Sequence, residues 1–149
     1  MNKNVLLDVK DLAVRFYTQE GIVYAVNGVS YTLHEGETLG IVGESGSGKT
    51  TLGMALLALQ PISAGEVTLE GQRIDGADRA ALRRMRRRMQ VVLQDPFASL
   101  SPRMTVGQIV GEGLALHQPD LSPAQREAKV LAMLDEVGLS AARGIHGVL

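Results

Sequence analysis

From position 43 to position 50 the chain reads Gly43-Glu44-Ser45-Gly46-Ser47-Gly48-Lys49-Thr50, which satisfies the pattern G-x-x-x-x-G-K-[ST] throughout. Glycines at 43, 46 and 48 let the backbone take conformations that a Cβ forbids, so successive N–H groups can point inward as a nest for an anion. A helix expected to begin at Lys49 brings the positive end of its dipole to the same place. Lys49 then supplies a mobile charge for the β and γ phosphates, the Thr50 hydroxyl is a ligand for magnesium, and Thr51 adds a contact to the α phosphate. The chemistry implied is capture of a nucleoside triphosphate together with Mg2+.

Such a loop must be delivered by a strand and received by a helix. Residues 38–42 (TLGIV) form a nearly continuous apolar run, the mark of a strand buried on both faces. After Lys49 the pattern turns helical, with Leu52, Ala55, Leu56 and Leu59 on one face until Pro61 stops it. Upstream, residues 5–9 and 12–16 read as two strands, with a turn at 19–21, a strand at 29–33 and a tight turn at 34–37.

Downstream, residues 62–65 read as a turn, 66–69 as a strand, and Asp78 as the cap of an arginine-rich helix that ends near Met89. A strand at 91–93 is broken by Asp95-Pro96. Thr105 with Gln108, and Ser122 with Gln125 and Pro123, are capping-box starts of two further helices. Their apolar stripes are Val106, Ile109, Val110, Gly113 and Leu114 in the first, and Val130, Leu131, Leu134 and Val137 in the second, with Gly138 as a C-terminal cap.

Composition narrows the class. The 149 residues are 45% hydrophobic and 21% charged, the range of ordinary globular chains, and aromatics are only 3%, so the core must be aliphatic. The apolar stretch 54–59 is far below the roughly 20 residues of a bilayer span, and the N-terminus has no leader pattern, so a cytoplasmic protein is expected. With no cysteine, disulfides, thiolate catalysis and Cys-based metal sites are excluded. His34, His117 and His146 lack metal-ligand spacing and read as surface residues. Six arginines and no acid lie within residues 79–88, leaving −7 on the rest of a chain whose net charge is −1. Leu82, Met85 and Met89 fall at helical spacing inside that run, so it reads as the solvated face of a surface helix and no nucleic-acid partner is expected.

The phosphate loop is shared by GTPases, kinases, helicases and transport ATPases, and other segments must separate them. Residues 91–109 (VVLQDPFASLSPRMTVGQI) resemble the Q-loop region of ABC transporter ATP-binding subunits, and GESGSGKT resembles the Walker A loop of that family. Residues 23–53 (VYAVNGVSYTLHEGETLGIVGESGSGKTTLG) are similar to its oligopeptide and dipeptide importer branch, and the likeness covers residues 6–139. It implies an α/β fold: a P-loop NTPase core of the RecA-like type, with an N-terminal antiparallel β subdomain and the start of an α-helical subdomain. Residues 1–95 would hold the β subdomain and loop core, 96–139 the Q-loop and the start of the helical subdomain, and 140–149 an atypical tail.

The resemblance also implies ATP as the nucleotide and gives Gln94 the role of Q-loop glutamine, reaching magnesium and the attacking water. Lys49 and Gln94 would then be catalytic, and Thr50 and Gln94 would hold the metal. Phe16 falls where the family stacks an aromatic on adenine, although it reads equally as an ordinary core phenylalanine. Implied partners are a second ATP-binding subunit, as homo- or heterodimer, transmembrane permease subunits near residues 96–112, and indirectly a solute-binding protein, all at the inner face of the cell membrane.

The signature L-S-G-G-Q, a Walker B ending in Asp-Glu and a switch histidine do not occur in residues 1–149. Asp95 after Val91-Val92-Leu93 invites a Walker B reading, but Gln94 interrupts the apolar run. A GTPase would need N-K-x-D, and D-x-x-G occurs only at Asp135-Glu136-Val137-Gly138, the end of an expected helix. The expectation is therefore an incomplete N-terminal part of a peptide-type importer subunit, not hydrolytically competent alone, with an unpaired sheet edge and exposed apolar surface. The alternative is a truncated nucleotide-binding or interaction module without turnover.

Overall fold

The computed structural model describes residues 4–95 and 100–144. It divides into two units, Met1–Gln90 and Val91–Leu149. In the first, branched aliphatic residues spaced to pack on one side of a pleated ribbon make a long strand, β1 (Val5–Thr18), where two short ones were expected. A bulge joins the two segments. Asp11 takes φ +46°, and the pairing of β1 shifts register there against both neighbours. Ser30 holds the bulge, its Oγ accepting the Asp11 N–H at 2.8 Å and donating to the Asp11 carboxylate at 3.2 Å. Gly65 crosses so closely that a Cβ there would lie 2.4 Å from the Asp11 carbonyl oxygen.

The turn expected at 19–21 closes an antiparallel hairpin between β1 and β2 (Gly21–His34), with Thr18 opposite Gly21. β3 (Ala64–Leu69) pairs with the other edge of β1, and β4 (Gln72–Arg73) adds to β3, giving the antiparallel order β2-β1-β3-β4. Asp75 ties this edge together. Its carboxylate accepts the Val67 N–H at 2.8 Å and pairs with Arg73, which also reaches Glu66 at 2.8 Å.

One face of the sheet buries Val9, Leu12, Val14 and Val67 against Leu52 and Ala55 of helix α1 (Lys49–Leu56) and Met85 of helix α2 (Arg79–Met85). Leu12 is fully enclosed, a burial that stabilises the fold by about 1.5–3 kcal/mol. Asp78 caps α2 by accepting the Ala81 N–H at 2.7 Å, and Leu82 and Met89 pack at the edge of the same core, so the arginine run does have one buried stripe. Helix α1 ends sooner than its apolar face suggested. Ala58 turns at φ +51°, and Leu59, expected on the buried face, lies outside the helix and exposed.

The run 38–42 does not form the buried strand expected of it. A strand of that kind needs partners on both edges to take up its N–H and C=O groups, and among the described residues none pairs with it. Leu39, Ile41 and Val42 are exposed, Val42 by 92%. The strand expected at 91–93 is likewise absent, for the same reason, and Val91, Val92 and Leu93 are exposed.

The second unit is a helical hairpin, α3 (Val106–His117) and α4 (Pro123–Glu136), followed by a short 3₁₀ turn, Ser140–Ala142. Both capping boxes form: Thr105 and Ser122 accept the Gln108 and Gln125 N–H groups, while those glutamine side chains accept the N-cap N–H groups in return. Gly138, at φ +73°, closes α4 with bonds from its own N–H to Asp135 and from the Leu139 N–H to Leu134, a Schellman ending. Leu114, Val130 and Leu134 form the core with Val106 and Val110 beside it. Gly111 rather than Gly113 is the buried glycine, and Leu131 and Val137 face outward, because two helices in contact bury a narrower stripe than the sequence pattern allowed. His34 and His117 are half-buried, while His146 and residues 96–99, part of the Q-loop stretch, lie outside the described residues. Among the described residues no helix is long and apolar enough to cross a membrane.

Candidate nucleotide-binding site

The loop at 43–50 departs from regular structure and returns to it at Lys49, the first residue of α1. Gly46 (φ +80°) and Gly48 (φ +91°) take the left-handed conformations the motif requires. Gly48 is the N-cap of α1 and offers no side-chain acceptor, so the first-turn N–H groups of Lys49, Thr50 and Thr51 stay available at the positive end of the helix. The loop is tight. A Cβ on Gly43 would meet Ser47 Oγ at 2.8 Å, and one on Gly48 would meet the Ala25 carbonyl oxygen at 2.0 Å.

Lys49 is half-buried and turns back over the loop, its Nζ donating to the carbonyl oxygens of Gly43 at 2.9 Å and Glu44 at 2.6 Å and reaching Ser47 Oγ at 3.3 Å. Glu44 and Ser45 are exposed at the loop's outer curve. A cleft of about 360 Å³ opens beside it, lined by Val23, Tyr24 and Ala25 of β2 and by residues 46–51 of the loop and helix. An adjoining apolar groove of about 630 Å³ runs between β2 and the segment 39–42. The second unit has a larger cleft of about 930 Å³ between α3 and α4, rimmed by Arg103, Arg126 and Arg143 and by the capped start of α3 at Thr105.

The donor set fits a magnesium triphosphate. Among the described residues no group of three or more His, Cys, Asp or Glu side chains could cage a metal. A magnesium ion held mainly by phosphate oxygens and water asks the protein for only one or two oxygen ligands, and the exposed Thr50 hydroxyl lies on the cleft wall next to Lys49.

The structure thus sets Gly46 to Thr51 on the cleft wall and the Gly43 and Glu44 carbonyls against Lys49. Phe16 lies on β1 opposite Val23, 38% exposed, and does not line the cleft itself; its neighbour Tyr17 is more exposed still. Gln94 is exposed in the second unit, at a bend rather than at the end of a strand. Sequence reasoning missed Tyr24 and Ala25. Their signal was present in the register of the hairpin, which is only fixed once the turn at 19–21 is placed.

A glycine-rich turn curled round a lysine at the start of a helix, beside an antiparallel sheet, defines a phosphate-loop nucleotide-binding protein. The sequence profile of the family described as ABC transporter matches residues 26–146, and the chain belongs to that family. It is 50% identical over 143 residues to the ABC transporter ATP-binding protein YejF of Escherichia coli, covering 91% of this chain and 27% of the relative. It is 43% identical to the oligopeptide transport ATP-binding protein OppF of Bacillus subtilis over 91% of this chain and 45% of the relative. The chain therefore spans between about a quarter and a half of the length of these relatives. Among solved structures, the dimeric bacterial ABC transporter cassette MJ0796 superimposes with a TM-score of 0.80 at 24% identity, over 95% of this chain and 61% of the other. The fold is that of an ABC cassette, α/β with an antiparallel β subdomain and the start of a helical one.

Proposed function

We propose that this chain binds Mg-ATP through residues 43–51 as part of an ATP-binding subunit that powers import of peptides or related solutes. The observation that carries the reading is Lys49, its ammonium held among the loop carbonyls at the open start of α1 and on the wall of a cleft lined by the loop. Similarity to the YejF and OppF proteins supports the peptide-import assignment. In this reading the backbone N–H groups and Lys49 orient the phosphates, and Thr50 supplies a hydroxyl to the metal. Magnesium, when bound, neutralises charge between the β and γ phosphates. Gln94 is assigned to the metal and the attacking water, and Phe16 to the adenine. The partners are a second ATP-binding subunit and permease subunits at the inner membrane face, with a solute-binding protein acting through them.

A second reading is a nucleotide-binding module without turnover. Steady-state ATP hydrolysis by the purified chain would dismiss it. Binding itself is tested by titrating Mg-ATP into the wild type and Lys49→Ala. Loss of a charge-assisted contact should weaken binding roughly tenfold or more. Equal affinities would remove the basis of the proposal.

A further inference from the structure

Residues 79–88 carry six arginines and no acid, while the rest of the chain carries −7. All six arginines are exposed. Helical winding continues past the end of α2, through bonds from the Arg86 N–H to Leu82 and from the Arg88 and Met89 N–H groups to Met85. Leu82, Met85 and Met89, at i, i+3 and i+7, pack against the sheet core, so the arginines fan over the opposite side. Arg79, Arg83 and Arg87 follow one another at i, i+4 in a single row.

The fold uses few of these charges. Arg88 pairs with Glu70, and Arg86 donates to the Ala58 carbonyl at 3.3 Å. The negative end of the helix dipole suits Arg83 and Arg84 in the last turn, but Arg79 is the first residue of α2, at the positive end. Arg79, Arg84 and Arg87 have no ion-pair or hydrogen-bond partner among the described residues. Like charges four residues apart repel, so the row from Arg79 to Arg87 costs the helix stability.

The make-up of this face separates the anionic partners it could meet. No aromatic lies within residues 79–90, so a single-stranded nucleic acid finds charge there but no stacking platform. The apolar residues that would anchor a protein partner are turned into the core, Met85 buried and Leu82 and Met89 half-buried beside it. What remains is diffuse positive charge, which matches the surface of a bilayer rich in anionic phospholipid and needs no insertion into it. We propose that the arginine face of residues 79–88 is an electrostatic contact with the anionic headgroups of a membrane. The choice of a bilayer over duplex nucleic acid rests on the importer reading, which keeps the chain beside one.

Binding of the purified chain to vesicles of phosphatidylglycerol mixed with phosphatidylcholine, and to vesicles of phosphatidylcholine alone, is measured by co-sedimentation at low and high salt. Binding should require phosphatidylglycerol and fall steeply as salt rises. The triple variant Arg79→Gln, Arg84→Gln and Arg87→Gln should bind roughly 100-fold more weakly, about fivefold for each charge removed, while lysine at the same three positions should retain most of the binding. Both variants should bind Mg-ATP as the wild type does, which reports an intact fold. The glutamine variant should melt no lower, since it removes repulsion and no ion pair seen among the described residues. Equal binding to both kinds of vesicle, or wild-type binding by the glutamine variant, overturns the proposal. So does release of the chain from the vesicles by duplex DNA at matched phosphate concentration, which would assign the face to nucleic acid. Lys49→Ala keeps the two readings apart, because it should weaken Mg-ATP binding and leave vesicle binding unchanged. A chain that binds Mg-ATP but not the vesicles defeats this inference alone.

Discussion

The Ala25 carbonyl occupies the space that a side chain on Gly48 would need, 2.0 Å from the position of its Cβ. The contact exists because β2 carries an extra residue at this point: Val14 pairs with Val26, Arg15 pairs with Tyr24, and Ala25 between them has no register partner. A bulge next to a functional loop re-aims the strand locally, and here it seats the end of the loop against the sheet.

Replacing Gly48 by alanine should therefore be worse than the ordinary left-handed penalty of about 1–2 kcal/mol, because backbone rather than a movable side chain blocks the Cβ. Thermal unfolding should shift to lower temperature, and Mg-ATP affinity should fall with it. An unchanged melting temperature and affinity would show that the loop is not held against β2 in this way. Gly46→Ala is the useful contrast, since its Cβ would meet nothing within 4 Å and only the backbone conformation is strained.

Asp75 should make stability depend on acid. Burial pushes its carboxyl pKa up, but the bonds from Arg73 and from the Val67 N–H outweigh this and hold it below its ordinary value of 3.8. A carboxylate with a lowered folded pKa contributes stability that is complete above the unfolded value and lost as pH falls through the folded one. Asp75→Asn should cost about 1.5–3 kcal/mol near neutral pH, as for bonds to a charged group. The gap between wild type and variant in urea unfolding should be constant above the ordinary carboxylate range and should close below 3.8. A gap that does not narrow as pH is lowered below 3.8 would assign the effect to packing.

Ser122→Ala removes the acceptor for the Gln125 N–H and half of a capping box, and should cost about 1 kcal/mol. Ser122→Thr should retain most of it. Helicity by circular dichroism checks both, and an alanine variant indistinguishable from wild type would mean that the cap contributes nothing to α4.

Leu12→Ala, at a position with no exposed surface, should cost about 2–5 kcal/mol in denaturant unfolding. Leu59→Ala, in a leucine that the sequence pattern placed inside, should cost far less, since that side chain is 53% exposed. Similar losses for the two would contradict the early end of α1 at Leu56.

Local chemistry was legible in the sequence where a feature is complete within a few residues. The loop glycines, the Asp78 cap, both capping boxes and the Gly138 ending all form as their residue types dictate, because each closes its own hydrogen bonds. The turn at 19–21 was legible, but not the strand that leaves it at Gly21, expected only from 29 on, nor the bulges at Asp11 and Ala25, which depend on the partner strand. The runs 38–42 and 91–93 were misread as strands because an apolar pattern says that a segment could be buried, not that neighbours are there to pair with it. For the same reason the contribution of Tyr24 to the cleft wall was hidden: it comes from register with Arg15 and from the loop seated against Ala25, neither of which is encoded in the motif.

If residues 43–51 bind a nucleotide as proposed, the hold of Lys49 on the Gly43 and Glu44 carbonyls makes its capture a displacement reaction rather than a simple addition. The ammonium already has acceptors, so an arriving phosphate gains only the difference between its own oxygens and two amide carbonyls. In such an exchange the ammonium has acceptors both before and after the phosphate arrives, so neither arrangement leaves its charge stranded without partners.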